Sequence, residues 1–231
     1  MTQANKFHLI ESLTRAPCTE EREHLFALIA ELDTLQSHLD LQTGFDPTQI
    51  QKLQVARTFS SATLSDSQPA LEAWDAGQRL IEAWIEEDKQ ISLNDLIHLN
   101  QLLTGDTSGL RTVPIYTGNG SYPRPEELHE LLDYFITTVL ANSDIHPLLF
   151  ASQARQWLVS IHPFNNANGR TSQLLADLFL LKAGYLPLTF TSKLDTLVAS
   201  LSVNSIALTP YIATIKFLNC VKHSYYILRA I

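Results

Sequence analysis

Cysteine is almost missing from this chain, with Cys18 and Cys220 standing alone and far apart. Two distant thiols build no disulfide framework, and no metal-ligand spacing surrounds either one, so a reducing compartment is expected. Basic residues are scarce too: 16 Lys and Arg face 24 Asp and Glu, for a formal charge of -8. Without a basic stripe to neutralise a run of phosphates, a nucleic-acid partner is excluded. No apolar run approaches the roughly 20 residues that cross a bilayer, so no membrane partner is expected. The opening MTQANKFHLIESLTRAPC also lacks the apolar core of a cleaved secretory signal. A cytoplasmic protein is expected, with export of a bacterial effector through an uncleaved signal left open. Glycine and proline are few, 8 and 10 of 231 residues, while 45% of the chain is hydrophobic. That composition suits one or two buried cores and a protein or small-molecule partner.

What is present reads as helix nearly throughout. After Thr19, a natural N-cap, Leu25, Leu28, Ile29, Leu32 and Leu35 recur at three-and-four spacing and share one helical face. Asp46-Pro47 has the form of a cap followed by proline at the first helical position, leading into Ile50 and Leu53. Small polar residues in SSATLSDSQP break that pattern, and a new stripe follows at Leu71, Trp74, Ile81, Trp84 and Ile85. Ser92 and Asp95 form a capping box, and Gly105 stops the helix they open. The C-terminal TPYIATIKFLNCVKHSYYIL starts with a cap-and-proline signature and reads as a packing helix.

One segment departs from this grammar. In GLRTVPIYTGNGSYPRPEEL two short extended runs flank Gly118-Asn119-Gly120, a strong hairpin signal. Pro123 and Pro125 remove backbone donors, so the second strand behaves as an edge. Such an edge either docks an extended peptide or simply joins two helices. Pro125 also opens the next helix, whose stripe is Leu128, Leu131, Leu132, Phe135, Ile136 and Val139.

The chemistry-bearing stretch is WLVSIHPFNNANGRTSQLLADLFLLKAGY. An apolar helix from Phe150 to Ile161 ends before Pro163, and a second apolar helix runs from about Gly169 to Gly184. The tight polar loop between them, His162 to Arg170, places a group that titrates near neutral pH opposite a helix N-terminus. That terminus offers unpartnered N–H groups and a positive dipole end. Gly169 lets an anion approach the backbone, and Arg170 can fork onto phosphate oxygens. A base beside an anion nest is the layout of phosphoryl or nucleotidyl transfer.

The run His162-Pro163-Phe164-Asn165-Asn166-Ala167-Asn168-Gly169-Arg170 closely resembles the signature of the Fic family. The Pro-ended hairpin about forty residues upstream resembles that family's flap, and the resemblance covers roughly residues 60–225. It implies an all-α fold, a Fic-like helical bundle with a small β-hairpin flap. The expected division is an N-terminal helical region at 1–60 and a catalytic domain at 61–231, with the flap near 111–125 and the signature loop at 162–170. The implied reaction moves AMP, or another nucleoside monophosphate, from a nucleoside triphosphate to a Ser, Thr or Tyr hydroxyl of a target protein. His162 would be the general base, Phe164 the loop's core anchor, Asn168 and Gly169 the anion hole, and Arg170 the holder of the β-phosphate. Val113, Ile115 and Tyr116 of the flap would dock the target. The implied cofactors are ATP or another nucleotide and Mg²⁺.

Departures from the family pattern bear on the donor and on regulation. Asn166 stands where the family has a carboxylate holding Mg²⁺, so this weak candidate ligand implies a weakened metal site. Gln173 replaces the family's second arginine, which leaves donors other than ATP, such as a phosphocholine-type nucleotide, or a catalytically weak binding module as alternatives. Ala167 for glycine is mild. Leu64 in Ser60-Ser61-Ala62-Thr63-Leu64-Ser65 occupies the place of the family's inhibitory glutamate, and no glutamate follows Glu130; Thr19 to Glu23 fits the inhibitory spacing but reads as an exposed charge. Trp74, Trp84 and Trp157 read as core, Asp177 as helix packing, and His146-Pro147 as an interhelix turn.

Overall fold

The computed structural model describes residues 17–40, 51, 53–57, 68–117, 120–142, 144–190 and 209–229. Helix α1 spans Thr19–Asp40, α2 Gln68–Glu86 and α3 Leu93–Thr104. Strands β1 (Tyr116–Thr117) and β2 (Gly120–Ser121) pair antiparallel, Tyr116 with Ser121 and Thr117 with Gly120. A 3₁₀ turn at Pro125–Glu127 feeds α4 (Leu128–Tyr134), which widens into a π turn at Phe135–Val139. Helices α5 (Pro147–Ile161), α6 (Asn168–Lys182) and α7 (Pro210–Arg229) complete the order. The regular structure among the described residues is thus helical apart from a ladder two residues long on each side. Asp46-Pro47, Gly118-Asn119 and Ser60 to Ser65 lie outside the described residues.

Local signals explain the helix ends. Ser92 Oγ accepts from Asp95 N, Asp95 Oδ2 accepts from Ser92 N at 2.9 Å, and Gly105 closes α3 in the left-handed region at φ 71. At α5 the Nδ1 of His146 accepts from Leu148 N at 3.4 Å, with Pro147 in the first turn where a missing N–H costs nothing.

Two buried clusters share α5 and α6, which pack against each other at the centre. The first joins α2 through α6 and contains Trp74, Trp84 and Trp157 with Leu131, Leu132, Phe135 and Val139, so the stripes and the tryptophans form core as expected. The second seats Leu25, Leu28, Ile29, Leu32 and Leu35 of α1 against Leu148, Ala176, Leu180, Leu218 and Val221. Burying each large aliphatic side chain contributes about 1.5–3 kcal/mol, so both sides of the α5–α6 pair are held firmly. Asp177, wholly buried on α6, accepts from Arg57 Nη2 at 2.6 Å and from Leu188 N at 2.9 Å, which gives it the packing role expected. Burial pushes its carboxyl upward while Arg57 and the Leu188 N–H pull the other way. Among the described residues no helix is long and apolar enough to cross a membrane.

Candidate functional site

The loop joining α5 to α6 is bracketed by two left-handed residues, His162 at φ 52 and Ala167 at φ 57. An L side chain there costs roughly 1–2 kcal/mol, so neighbouring contacts must impose it. They are present. Asn168 clasps Phe164, its Oδ1 accepting from Phe164 N at 2.9 Å and its Nδ2 donating to Phe164 O at 2.8 Å. Phe164 is 1% exposed and sits in the first core cluster, so the clasp is anchored in packed apolar surroundings. Asn100 of α3 donates from Nδ2 to Asn166 O at 2.9 Å and to Thr171 Oγ1 at 3.0 Å. Asn166 Oδ1 in turn accepts from Ala167 N at 2.7 Å. The side chain of Asn168 thus shapes the loop, while Asn168, Gly169 and Arg170 occupy the first turn of α6, where backbone N–H groups have no intrahelical acceptor.

His162 caps α5, its N–H donating to Leu158 O at 3.0 Å. Its Nδ1 lies 3.3 Å from Val159 O. A carbonyl only accepts, so Nδ1 carries the proton and Nε2 keeps its lone pair. Burial pushes the imidazole down to about 4; the Val159 carbonyl opposes this shift and the charge of Arg111 adds to it. The ring is therefore neutral, a proton acceptor, across the physiological range.

The flap is tied to this loop by Arg111, a side chain 2% exposed. Its Nε donates to His162 O at 2.7 Å, its Nη1 to Val113 O at 3.1 Å and its Nη2 to Pro123 O. The backbone N–H of Arg111 adds a bond to Pro163 O at 2.9 Å. Burial lowers the Arg111 pKa, and Glu126 and Glu127 oppose that. Just past β2, Tyr122 lies over the His162 ring, with centroids 4.0 Å apart and planes at 28°. On the outer side of the flap Val113 and Tyr116 are 57% and 78% exposed, and Ile115 is half-buried.

At the loop's far end Arg170 donates from Nη1 to Leu103 O at 3.3 Å, and its guanidinium keeps further donors for another acceptor. Asn165 donates from Nδ2 to Ser108 Oγ at 3.1 Å and to Asp106 Oδ2 at 3.3 Å. The Ser108 hydroxyl, then the Ser108 N–H and Asn165, hold the Asp106 carboxyl below the usual range. The donor set does not fit a carboxylate-held Mg²⁺: Asn166 presents a neutral amide whose oxygen already accepts from Ala167 N. Gln173 is 2% exposed on α6.

The structure gathers His162, Phe164, Asn166, Asn168, Gly169 and Arg170 on one loop and brings the flap onto it. Sequence reasoning missed Arg111 and Tyr122, the two side chains through which the flap reaches His162. Arg111 and Arg124 are the charged residues from 111 to 125, one at each end of the hairpin, and that sparseness is the signal that would have singled out Arg111. It also missed Asn100, a polar residue in the apolar repeat of α3.

Residues 90–180 match the family model described as the Fic/DOC family. Over 121 residues the chain is 32% identical to "Protein adenylyltransferase Fic" of Drosophila grimshawi, covering 49% of this chain and 25% of that protein. The counterpart in Culex quinquefasciatus is 33% identical over 121 residues, with 49% and 24% covered. The chain therefore spans about a quarter of the length of the curated relatives it matches. Among solved structures, Fic-1 from C. elegans superposes at a TM-score of 0.67 with 16% identity, covering 89% of this chain and 73% of that one. IbpAFic2 in complex with adenylylated Cdc42 superposes at 0.64 with 19% identity, covering 94% and 74%. At these identities the likeness to the solved structures is one of fold.

Proposed function

We propose, on the match of residues 90–180 to the Fic/DOC family model, that the chain transfers AMP, or another nucleoside monophosphate, from a nucleoside triphosphate to a Ser, Thr or Tyr hydroxyl of a protein docked at the flap. The observation that carries this reading is the placement of His162, whose Nδ1 lies 3.3 Å from Val159 O and, as donor to that carbonyl, leaves Nε2 with its lone pair. Nε2 takes the proton as the target oxygen attacks the α-phosphorus. The bond from that phosphorus to the bridging oxygen breaks, and pyrophosphate leaves. First-turn N–H groups at Asn168 and Gly169 stabilise the charge that builds on the phosphate oxygens, and Arg170 holds the β-phosphate through paired donors. Asn168 contributes by fixing the turn, since its own amide is committed to Phe164. Phe164 anchors the loop, and Val113, Ile115 and Tyr116 form the docking edge.

Residues 61–231 are read as the catalytic domain. Mg²⁺ enters no step here, since Asn166 offers no carboxylate. With Gln173 buried at the place of the second arginine, nothing in this reading demands a γ-phosphate, and donors sharing only the α,β-diphosphate remain compatible. The test is incubation of the purified chain with each α-³²P nucleoside triphosphate in lysate, with Mg²⁺ or Mn²⁺, beside a His162→Ala control. Label on protein, lost in the control by at least about 100-fold, is expected. Nucleotide binding without label from any triphosphate would remove nucleotidyl transfer.

A further inference from the structure

We infer that Tyr122 is a positioning residue for the general base, its ring stacked on His162 to hold the imidazole in the plane from which Nε2 meets the target hydroxyl. The inference rests on the reading of His162 as base. Its support is geometric. Centroids 4.0 Å apart at 28° leave no room for water between the rings. One nitrogen is already tethered, Nδ1 to Val159 O at 3.3 Å, but a single bond at that length leaves the ring free to swing about it. The stack removes the swing.

Tyr122 is itself held in place by the strand that carries it. It follows Ser121, the residue paired with Tyr116, and precedes Pro123, whose carbonyl accepts from Arg111. Arg111 reaches from there to the carbonyl of His162 at 2.7 Å. The flap and the base are thus joined twice, once through the guanidinium to the backbone and once through the aromatic ring to the imidazole. A target strand seated beside β1 is thereby held in register with Nε2. The groups acting on the ring are the Val159 carbonyl from α5, Tyr122, and Arg111 from the flap, with Glu126 and Glu127 acting on Arg111 in turn.

The stacked ring covers one face of the imidazole against water. Removing the phenol ring re-solvates the imidazole and favours its charged form, a change that a tyrosine supporting only the flap, clear of the imidazole, would not produce. The experiment is a histidine NMR titration of the full chain as wild type, Tyr122→Phe and Tyr122→Ala, with His162→Ala to assign the signal, alongside target labelling against pH. Wild-type His162 is expected to titrate at about 4. In Tyr122→Ala it moves up by about one unit or more and labelling falls by about 10-fold or more, while Tyr122→Phe restores the wild-type titration. No shift in Tyr122→Ala, or a shift in Tyr122→Phe as large as in Tyr122→Ala, overturns the inference. The titration decides even if wild-type protein labels nothing, an outcome that would count against the transferase reading alone.

Discussion

Arg111 Nε donates to the carbonyl oxygen of His162 at 2.7 Å, so a side chain on the flap finishes the C-terminal cap of α5. A helix that ends on a left-handed, non-glycine residue leaves its last carbonyls turned aside, and a buried guanidinium is well suited to collect one. The same fork accepts no substitute of a different shape, because lysine offers a point charge in place of a planar set of donors.

Arg111→Lys is therefore expected to lose about 1–3 kcal/mol of stability, from carbonyls left buried without a donor. Labelling should fall further than stability alone accounts for. Thermal unfolding and initial labelling rates on the same sample separate the two effects. Wild-type rates in Arg111→Lys would show that the flap and the loop hold together without the fork.

Acid should affect the protein and its activity differently from an ordinary histidine enzyme. With His162 at about 4 in the fold and near 6.5 unfolded, the unfolded chain binds the extra proton first as pH falls. Its contribution to stability is thus full above about pH 6.5 and is lost progressively down to about 4. The base itself stays neutral through that interval. Labelling is expected to hold level from pH 7 to about 5 and to fall only nearer 4, and denaturant midpoints should decline over the same interval. An activity limb centred near 6.5 would contradict a buried, neutral imidazole.

Much of this was legible in the sequence, and the reasons differ by element. The stripes on α1, α2 and the α4 region declared themselves because leucines and tryptophans at three-and-four spacing give a helix one apolar face that must be covered. The caps Ser92, Gly105 and His146 are local interactions, written within four residues of one another. The signature loop was legible for the same reason. Arg111 and Tyr122 were not, since the partner of Arg111 lies 51 residues away and Tyr122 meets the same distant histidine from the other arm of the hairpin. Asn168 was legible as part of the anion hole, but the clasp of its side-chain amide on Phe164 was not, because that bond depends on how the loop closes.

Arg57→Ala should cost about 3–5 kcal/mol, because it strands the fully buried carboxylate of Asp177. Urea unfolding of the two proteins measures it. Pairing Arg57→Ala with Asp177→Asn, which removes the stranded charge, is expected to return part of the loss; an unchanged midpoint in the single variant would show the ion pair to be energetically idle.

Asn166→Asp restores a carboxylate without removing the acceptor that Ala167 N uses. Mg²⁺ binding, followed by calorimetry in the presence of nucleotide, is expected to tighten by about 10-fold or more, the gain from a charged oxygen ligand for a hard cation. Equal affinity in the two proteins would mean that position 166 does not face the metal.

Helix α1 has a practical bearing on anyone who trims this chain. Five of its leucine and isoleucine side chains are buried in one cluster with residues from α5, α6 and α7, Leu39 packs alongside, and the match to the family model begins only at residue 90. An expression clone drawn to the edges of the family match would lose α1, α2 and α7 together, strip the cover from Leu148, Ala176 and Leu180 and present a sticky apolar wall to its neighbours. Insolubility of such a fragment would report a missing lid on the back of the molecule, and would carry no information about the chemistry on its front.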